Sequence, residues 1–131
     1  TVFVCSDHIG RENDWNPKDN KNRRHLNEYE LKVLLDNGWE IGSHGMSHTS
    51  LLRLSYEKLV YELSISKKKL MKIFGPVEAY AYPFGFHNLF CEQEAAKVYK
   101  YAYALTSGGS IEGIDNHQIR RYTVSDILKV L

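Results

Sequence analysis

The sequence predicts an α/β fold built on a parallel sheet or barrel. Short apolar segments rich in β-branched and aromatic residues alternate along the chain with longer segments of helical periodicity. This alternation is typical of βαβ units, in which consecutive strands run parallel and helices cover the sheet. The length of 131 residues suits one domain with a buried core, so we treat residues 1–131 as a single domain.

Five segments are predicted as strands. The first is a continuous apolar run, Thr1-Val2-Phe3-Val4-Cys5, of the kind found in strands buried on both faces of a parallel sheet. Turn-forming glycine and proline separate the strands from the helices at Gly38, Gly75-Pro76 and residues 107–110. The remaining predicted strands cover residues 39–42, 77–82, 101–105 and 119–124.

Three helices and a C-terminal helical stub are predicted between these strands. Asn27 can cap the first helix, and Glu30 stands three residues further on, as in a capping box. Ser55 is predicted to cap the second helix, whose apolar periodicity continues to about residue 74. The third helix is predicted over residues 89–99, and Ser125-Asp126 is predicted to cap the terminal stub.

Charge and cysteine content exclude several classes of function. The chain has 17 Lys+Arg against 16 Asp+Glu, which argues against a general binder of nucleic acids or membrane surfaces. The run Lys67-Lys68-Lys69 is interpreted as a solvated helix face. Cys5 and Cys91 do not form a disulfide framework. No apolar run is long enough to predict a membrane-spanning segment.

A long polar segment, residues 6–24, follows the first predicted strand. It is rich in Asn, Asp, Lys and Arg, and Trp15 is its one large apolar residue. We predict a loop that covers part of a functional site. Trp15 either anchors the loop at that site or packs it onto the rest of the domain, and packing is the simpler interpretation.

The segment around His44 and His48 carries the strongest chemical signal. A predicted strand leads into it, so we expect both imidazoles to be delivered into a loop or a first helical turn. Side chains four residues apart can converge on one point, and neutral imidazoles are good ligands for zinc or a similar metal. The alternative is a pair of surface or hydrogen-bonded histidines, since a catalytic zinc needs three protein ligands.

Four segments in order resemble the polysaccharide deacetylases of the NodB-homology type, carbohydrate esterase family 4. They read G-W-E-I-G-S-H-G-M-S-H-T-S-L, L-S-Y-E-K-L, S-K-K-K-L and A-Y-P-F-G. The resemblance runs from Thr1 to Tyr122. It implies a distorted (β/α) barrel, and it implies a hydrolase that removes N- or O-linked acetyl groups from a polysaccharide or oligosaccharide.

The resemblance also assigns roles to particular residues. It implies a divalent metal, often zinc, held by one Asp and two His, and His44 and His48 match the two histidines. The segment Tyr82-Pro83-Phe84-Gly85 matches a loop that lines the substrate groove. The backbone N–H of Phe84 would stabilise the oxyanion that forms when a metal-activated water attacks the acetyl carbonyl.

The sequence departs from the family at several positions. The family's Asp-Asp pair, which supplies the catalytic base and the third metal ligand, has no counterpart in the chain. The resemblance places that pair before residues 1–5, so we expect the chain to begin inside a domain, after its first strand. Asp7 and His117 are less favoured substitutes for the missing groups. Gly45 stands where the family usually has Ser or Thr, whose hydroxyl could brace the loop.

Two functions remain as hypotheses. The first is a metal-dependent carbohydrate deacetylase, which cuts C–N or ester bonds, with its base and third ligand upstream of Thr1. The second is a non-catalytic relative without the Asp pair, which binds glycans through Trp15, Tyr82 and Phe84. A purely structural metal site is weaker, because it would need four ligands. The resemblance implies an acetylated glycan as partner and a location in the bacterial envelope or outside the cell.

Overall fold

The structure is a computed structural model that describes residues 1–13, 15, 23–105 and 116–120. Within these residues the structure contains five strands, which are β1 (Val2–Val4), β2 (Ile41–Ser43), β3 (Ala79–Ala81), β4 (Tyr101–Ala104) and β5 (Ile119–Arg120). The α-helices are α1 (Glu28–Asp36), α2 (Tyr56–Phe74) and α3 (Leu89–Ala96), and short 3₁₀ turns cover Leu51–Arg53 and Pro83–Gly85.

The strands form one parallel sheet in the order β1-β2-β3-β4-β5. A helix connects each of the first three neighbouring strand pairs, which is the arrangement that parallel strands require. The predicted α/β class is therefore confirmed. The predicted turn at residues 107–110, the extension of β5 beyond residue 120 and the terminal stub lie outside the described residues.

The sheet is curved. The rings of Phe3 on β1 and Tyr103 on β4 have centroids 5.4 Å apart, although β2 and β3 lie between their strands. Three strand spacings in a flat sheet would amount to roughly 14 Å. Gly42 on β2 makes room for the contact, because a Cβ there would lie 2.6 Å from the Phe3 ring. This curvature is what part of a (β/α) barrel requires.

The helices pack on the opposite face of the sheet and form the core with it. A buried polar contact crosses this layer, because the Ser43 hydroxyl of β2 donates to Ser66 Oγ of α2 at 3.0 Å. Lys67 is not simply solvated, since its Nζ donates to the Val98 carbonyl at 2.6 Å. The core includes Leu31, Leu51, Leu59, Leu63, Leu70, Phe74, Val77, Tyr80 and Tyr82.

The helix ends follow their local signals. The capping box of α1 is present, because Asn27 Oδ1 accepts from the Glu30 N–H at 2.9 Å and Glu30 Oε2 accepts from the Asn27 N–H at 2.9 Å. Helix α2 is the exception at its start, because the Ser55 side chain makes no capping hydrogen bond and the predicted cap is wrong; the helix ends at Phe74, before Gly75, where φ is 84°. Helix α3 ends at Ala96, three residues earlier than predicted, and the N–H groups of Val98 and Tyr99 both donate to the Ala95 carbonyl.

Candidate functional site

The two histidines of the motif come together at the carboxyl end of β2. Their ring centroids are 4.9 Å apart. The connecting segment is a bend and not a helical turn, because φ is 79° at Gly45 and 60° at His48. The convergence therefore depends on two left-handed residues, of which only Gly45 adopts that conformation without strain.

The His44 ring is held in one orientation by the neighbouring strand. Its Nδ1 lies 2.6 Å from the carbonyl oxygen of Ala81 at the end of β3. Because a carbonyl can only accept a hydrogen bond, Nδ1 carries a proton, and in the neutral ring this leaves the lone pair on Nε2. This tautomer and orientation are those of a histidine that binds a metal through Nε2.

The surroundings of His48 favour the neutral form of its ring. Burial lowers the pKa of His48 below its ordinary value, and the nearby His8 and His25 lower it further. A neutral imidazole is the form that binds a metal. Trp15 stacks on the His48 ring at 4.2 Å between centroids and 15° between planes, and Phe84 contacts it at 4.6 Å. Trp15 therefore lies at the site and also contacts the His8 and His25 rings, whereas residues 14 and 16–22 of the predicted loop lie outside the described residues.

Glu62 of α2 supports the middle of the histidine loop. Its Oε2 accepts from the Met46 N–H at 2.7 Å and from the Ser47 N–H at 3.4 Å, and its Oε1 accepts from the Ser47 hydroxyl at 2.5 Å. Sequence analysis did not identify this residue. A signal was present, because Glu62 lies three residues after buried Leu59 and four residues before buried Ser66 on the same helix.

The predicted groove loop forms a tight turn beside the histidines. Phe84 has φ 59° and ψ 4°, and its side chain is 52% exposed. Gly85 donates its N–H to the Tyr82 carbonyl and Phe86 donates to the Pro83 carbonyl, so these bonds of the turn leave out the Phe84 N–H. Tyr82, Pro83 and Gly85 are buried. Only Phe84 among the four predicted groove residues presents its side chain at the surface.

Two cavities flank the histidine pair. One has a volume of about 370 Å³ and is lined by His48, Thr49, Ser50, Arg53, Phe84 and Phe86. The other has a volume of about 180 Å³, lies against β1, and is lined by residues that include Cys5, His8, Trp15, His25 and His44. The first is large enough to take part of a sugar, and its exposed aromatic rings offer apolar contact surface.

The less favoured ligand candidates are engaged elsewhere. Asp7 Oδ1 pairs with Lys69 Nζ at 2.6 Å. His117 Nε2 lies 2.9 Å from the Tyr99 carbonyl, and the His117 carbonyl accepts from the Tyr82 hydroxyl at 3.0 Å.

Burial raises the pKa of the Cys5 thiol to about 12, with Glu62 adding to the shift. Over the described part of the chain, no three His, Cys, Asp or Glu side chains are grouped to hold a metal ion.

Comparison with known proteins identifies the family. The family model for polysaccharide deacetylases matches residues 1–103. The chain belongs to the polysaccharide deacetylase family. The predicted resemblance to polysaccharide deacetylases is thereby confirmed. No curated protein matches the chain. Among the helices that the structure describes, none is long and apolar enough to cross a membrane.

Several solved structures share the fold. The polysaccharide deacetylase BC0361 from Bacillus cereus is 28% identical with a TM-score of 0.68, over 83% of this chain and 37% of that one. The Streptococcus pyogenes deacetylase PplD in complex with acetate is 24% identical with a TM-score of 0.68, over 82% of this chain and 51% of that one. IcaB from Ammonifex degensii is 17% identical with a TM-score of 0.80, over 98% of this chain and 58% of that one. The chain thus spans between 37% and 58% of these proteins.

Proposed function

We propose that this chain forms part of a metal-dependent deacetylase that removes acetyl groups from a polysaccharide or oligosaccharide. One observation carries the proposal: in a member of this family, the two histidines converge with His44 Nδ1 bonded to the Ala81 carbonyl at 2.6 Å. The Phe84 turn and an open cavity of about 370 Å³ lie directly beside them. Substrate, metal and reacting groups can therefore meet at the carboxyl ends of the strands.

His44 and His48 fit the ligand set that the family implies. The orientation of the His44 ring and the lowered pKa of His48 suit the pair to bind a divalent cation, zinc first. When bound, such an ion supplies Lewis-acid activation of a water molecule and of the acetyl carbonyl. Phe84 would donate its backbone N–H to the carbonyl oxygen as negative charge develops there. Tyr82, which is buried, would act only by holding the Phe84 turn in place.

The proposed reaction also needs a third ligand and a general base. The family resemblance assigns both to an Asp-Asp pair, which is absent from these 131 residues. Strand β1 is at an edge of the described sheet, so its outer side offers backbone groups to a further parallel strand. The cavity that His44 lines lies against β1.

Acetate release tests this function. The full-length protein, loaded with zinc, is expected to release acetate from acetylated chito-oligosaccharides or from an O-acetylated polysaccharide. His44→Ala and His48→Ala should abolish release, whereas His117→Gln, which can still donate to the Tyr99 carbonyl, should retain it. A folded, zinc-loaded protein that releases no acetate from either class of substrate would refute the enzyme proposal.

A non-catalytic glycan binder remains the second candidate. The exposed rings of Trp15, Phe84 and Phe86, at 44%, 52% and 59% exposure, favour it because sugars pack well on aromatic faces. Tyr82 is buried and would not contact the glycan directly. Under this function, calorimetry would detect oligosaccharide binding that survives metal removal by a chelator and is accompanied by no acetate release.

A further inference from the structure

We infer that Glu62 is the positioning residue of the histidine loop, and that it fixes His48 relative to His44 so that the pair can bind a cation. This inference rests on the proposed metal-binding function of the two histidines. Glu62 itself is no ligand, because its carboxylate is occupied by the backbone and side chain of the loop.

The contacts of Glu62 fall between the two histidines in sequence. Both carboxylate oxygens are used, and all three partner groups belong to Met46 and Ser47. Ser47 Oγ also lies 2.8 Å from Thr49 Oγ1, so the same network continues past His48. Because α2 is a 19-residue helix packed in the core, the Glu62 side chain gives the loop a rigid point of attachment.

The loop needs such an attachment because its conformation is strained. His48 has φ 60°, a left-handed value that a residue with a Cβ adopts only when its surroundings enforce it. If Met46 and Ser47 were released, His48 could return to a right-handed or extended conformation. Its ring would then turn away from His44, because the direction of the side chain follows the backbone.

Gly45 is adapted to the same contact. A Cβ at this position would lie 3.0 Å from Glu62 Oε2 and 3.7 Å from the Tyr80 hydroxyl. The backbone of Gly45 is also left-handed, with φ 79°. A hydroxyl-bearing residue here would therefore press on the carboxylate. The support that a side-chain hydroxyl at position 45 was expected to give comes instead from Glu62.

Glu62 could promote cation binding through its hydrogen bonds or merely through its negative charge. Three variants separate these effects. Ser47→Ala keeps the charge and removes the shortest contact, at 2.5 Å. Glu62→Gln removes the charge, while its side-chain carbonyl can still accept from the Met46 N–H. Glu62→Ala removes both. Glu57→Gln removes one charge from the same helix, outside this loop network, and is the matched control.

The test is cobalt binding to the full-length protein, followed by the absorption of the bound ion, with amide hydrogen exchange measured on the metal-free protein. Glu62→Ala is expected to lower cobalt affinity by about 10–100-fold, as loss of a supporting hydrogen bond does at other metal sites. Ser47→Ala should lower it by a smaller factor. Glu62→Gln should stay closer to wild type than Glu62→Ala, and Glu57→Gln should match wild type. Exchange at Met46 and Ser47 should quicken in Glu62→Ala.

Urea denaturation identifies any variant that loses cobalt affinity because it is unfolded. If Glu62→Ala is unfolded, the comparison of Ser47→Ala with wild type tests the inference. Equal cobalt affinity of Glu62→Ala and wild type would overturn the inference while leaving the proposed function intact. Equal losses in Glu62→Gln and Glu62→Ala, with none in Ser47→Ala, would also overturn it, because charge alone would explain them. A wild-type protein that binds no cobalt would refute the proposed function, and this inference with it.

Discussion

Replacing Gly85 by alanine should destabilise the protein through the turn that carries Phe84. Gly85 has φ 72°, and a Cβ there would lie 2.6 Å from the Leu105 N and 2.8 Å from its Cα. These are backbone atoms of the segment that follows β4, so they cannot move aside as a flexible side chain would. The left-handed conformation costs about 1–2 kcal/mol for a residue with a Cβ. Overpacking adds about 1–3 kcal/mol, which gives about 2–5 kcal/mol in total.

Gly38→Ala is the matched control for this prediction. Gly38 has φ 81°, but a Cβ there would meet nothing within 4 Å. Its replacement should therefore cost only the backbone part, about 1–2 kcal/mol. Urea denaturation of both variants gives the free energy of unfolding, and an unchanged dependence on urea concentration shows that the native and unfolded states are comparable. Equal losses in Gly85→Ala and Gly38→Ala would refute the proposed clash with Leu105.

Two further predictions concern carboxylates. Glu92→Ala should lower the free energy of unfolding, measured by urea denaturation, by about 1.5–3 kcal/mol, because Glu92 forms hydrogen bonds with His87 Nδ1 and Gln118 Nε2 at 2.6 Å each. A loss of about 0.5 kcal/mol, as for an ordinary surface substitution, would contradict this. The Arg24 guanidinium lowers the pKa of Glu30 to about 2. The contribution of the Glu30 carboxylate to the free energy of unfolding is therefore complete above the ordinary carboxyl pKa and is lost as pH falls toward 2. The stability difference between wild type and Glu30→Gln should shrink over that range and in high salt.

Those parts of the fold that depend on local chemistry were predictable from the sequence. The capping box of Asn27 and Glu30 is a short-range interaction, and it forms as predicted. Gly75 ends α2 because its left-handed conformation suits a helix terminus. The order of strands and helices follows from hydrophobic periodicity, which each segment carries within itself. The closeness of His44 and His48 was also predicted, but it arises from the left-handed conformations of Gly45 and His48 and not from a helical turn.

The remaining features depend on residues distant in sequence. Tyr82 is buried because its N–H donates to the Tyr103 carbonyl of the neighbouring strand and its hydroxyl donates to the His117 carbonyl. Neither partner can be inferred from the local pattern around Tyr82. The role of Glu62 depends on how α2 packs beneath the loop. The stacking of Trp15 on His48 depends in the same way on how two loops meet.

The histidine loop is fixed by neighbours on three sides. On the side of β1, the N–H groups of Ser6 and Asp7 donate to the carbonyls of Gly45 and Met46 at 3.0 and 3.1 Å. On the side of β3, the Ala81 carbonyl holds the His44 ring, and from α2 the Glu62 carboxylate holds the middle of the loop. A ligand-binding loop held in this way loses little conformational entropy on binding, so more of the interaction energy appears as affinity. We therefore expect the histidines to bind a cation without rearranging, and the variants that weaken these contacts to lose affinity before they lose the fold.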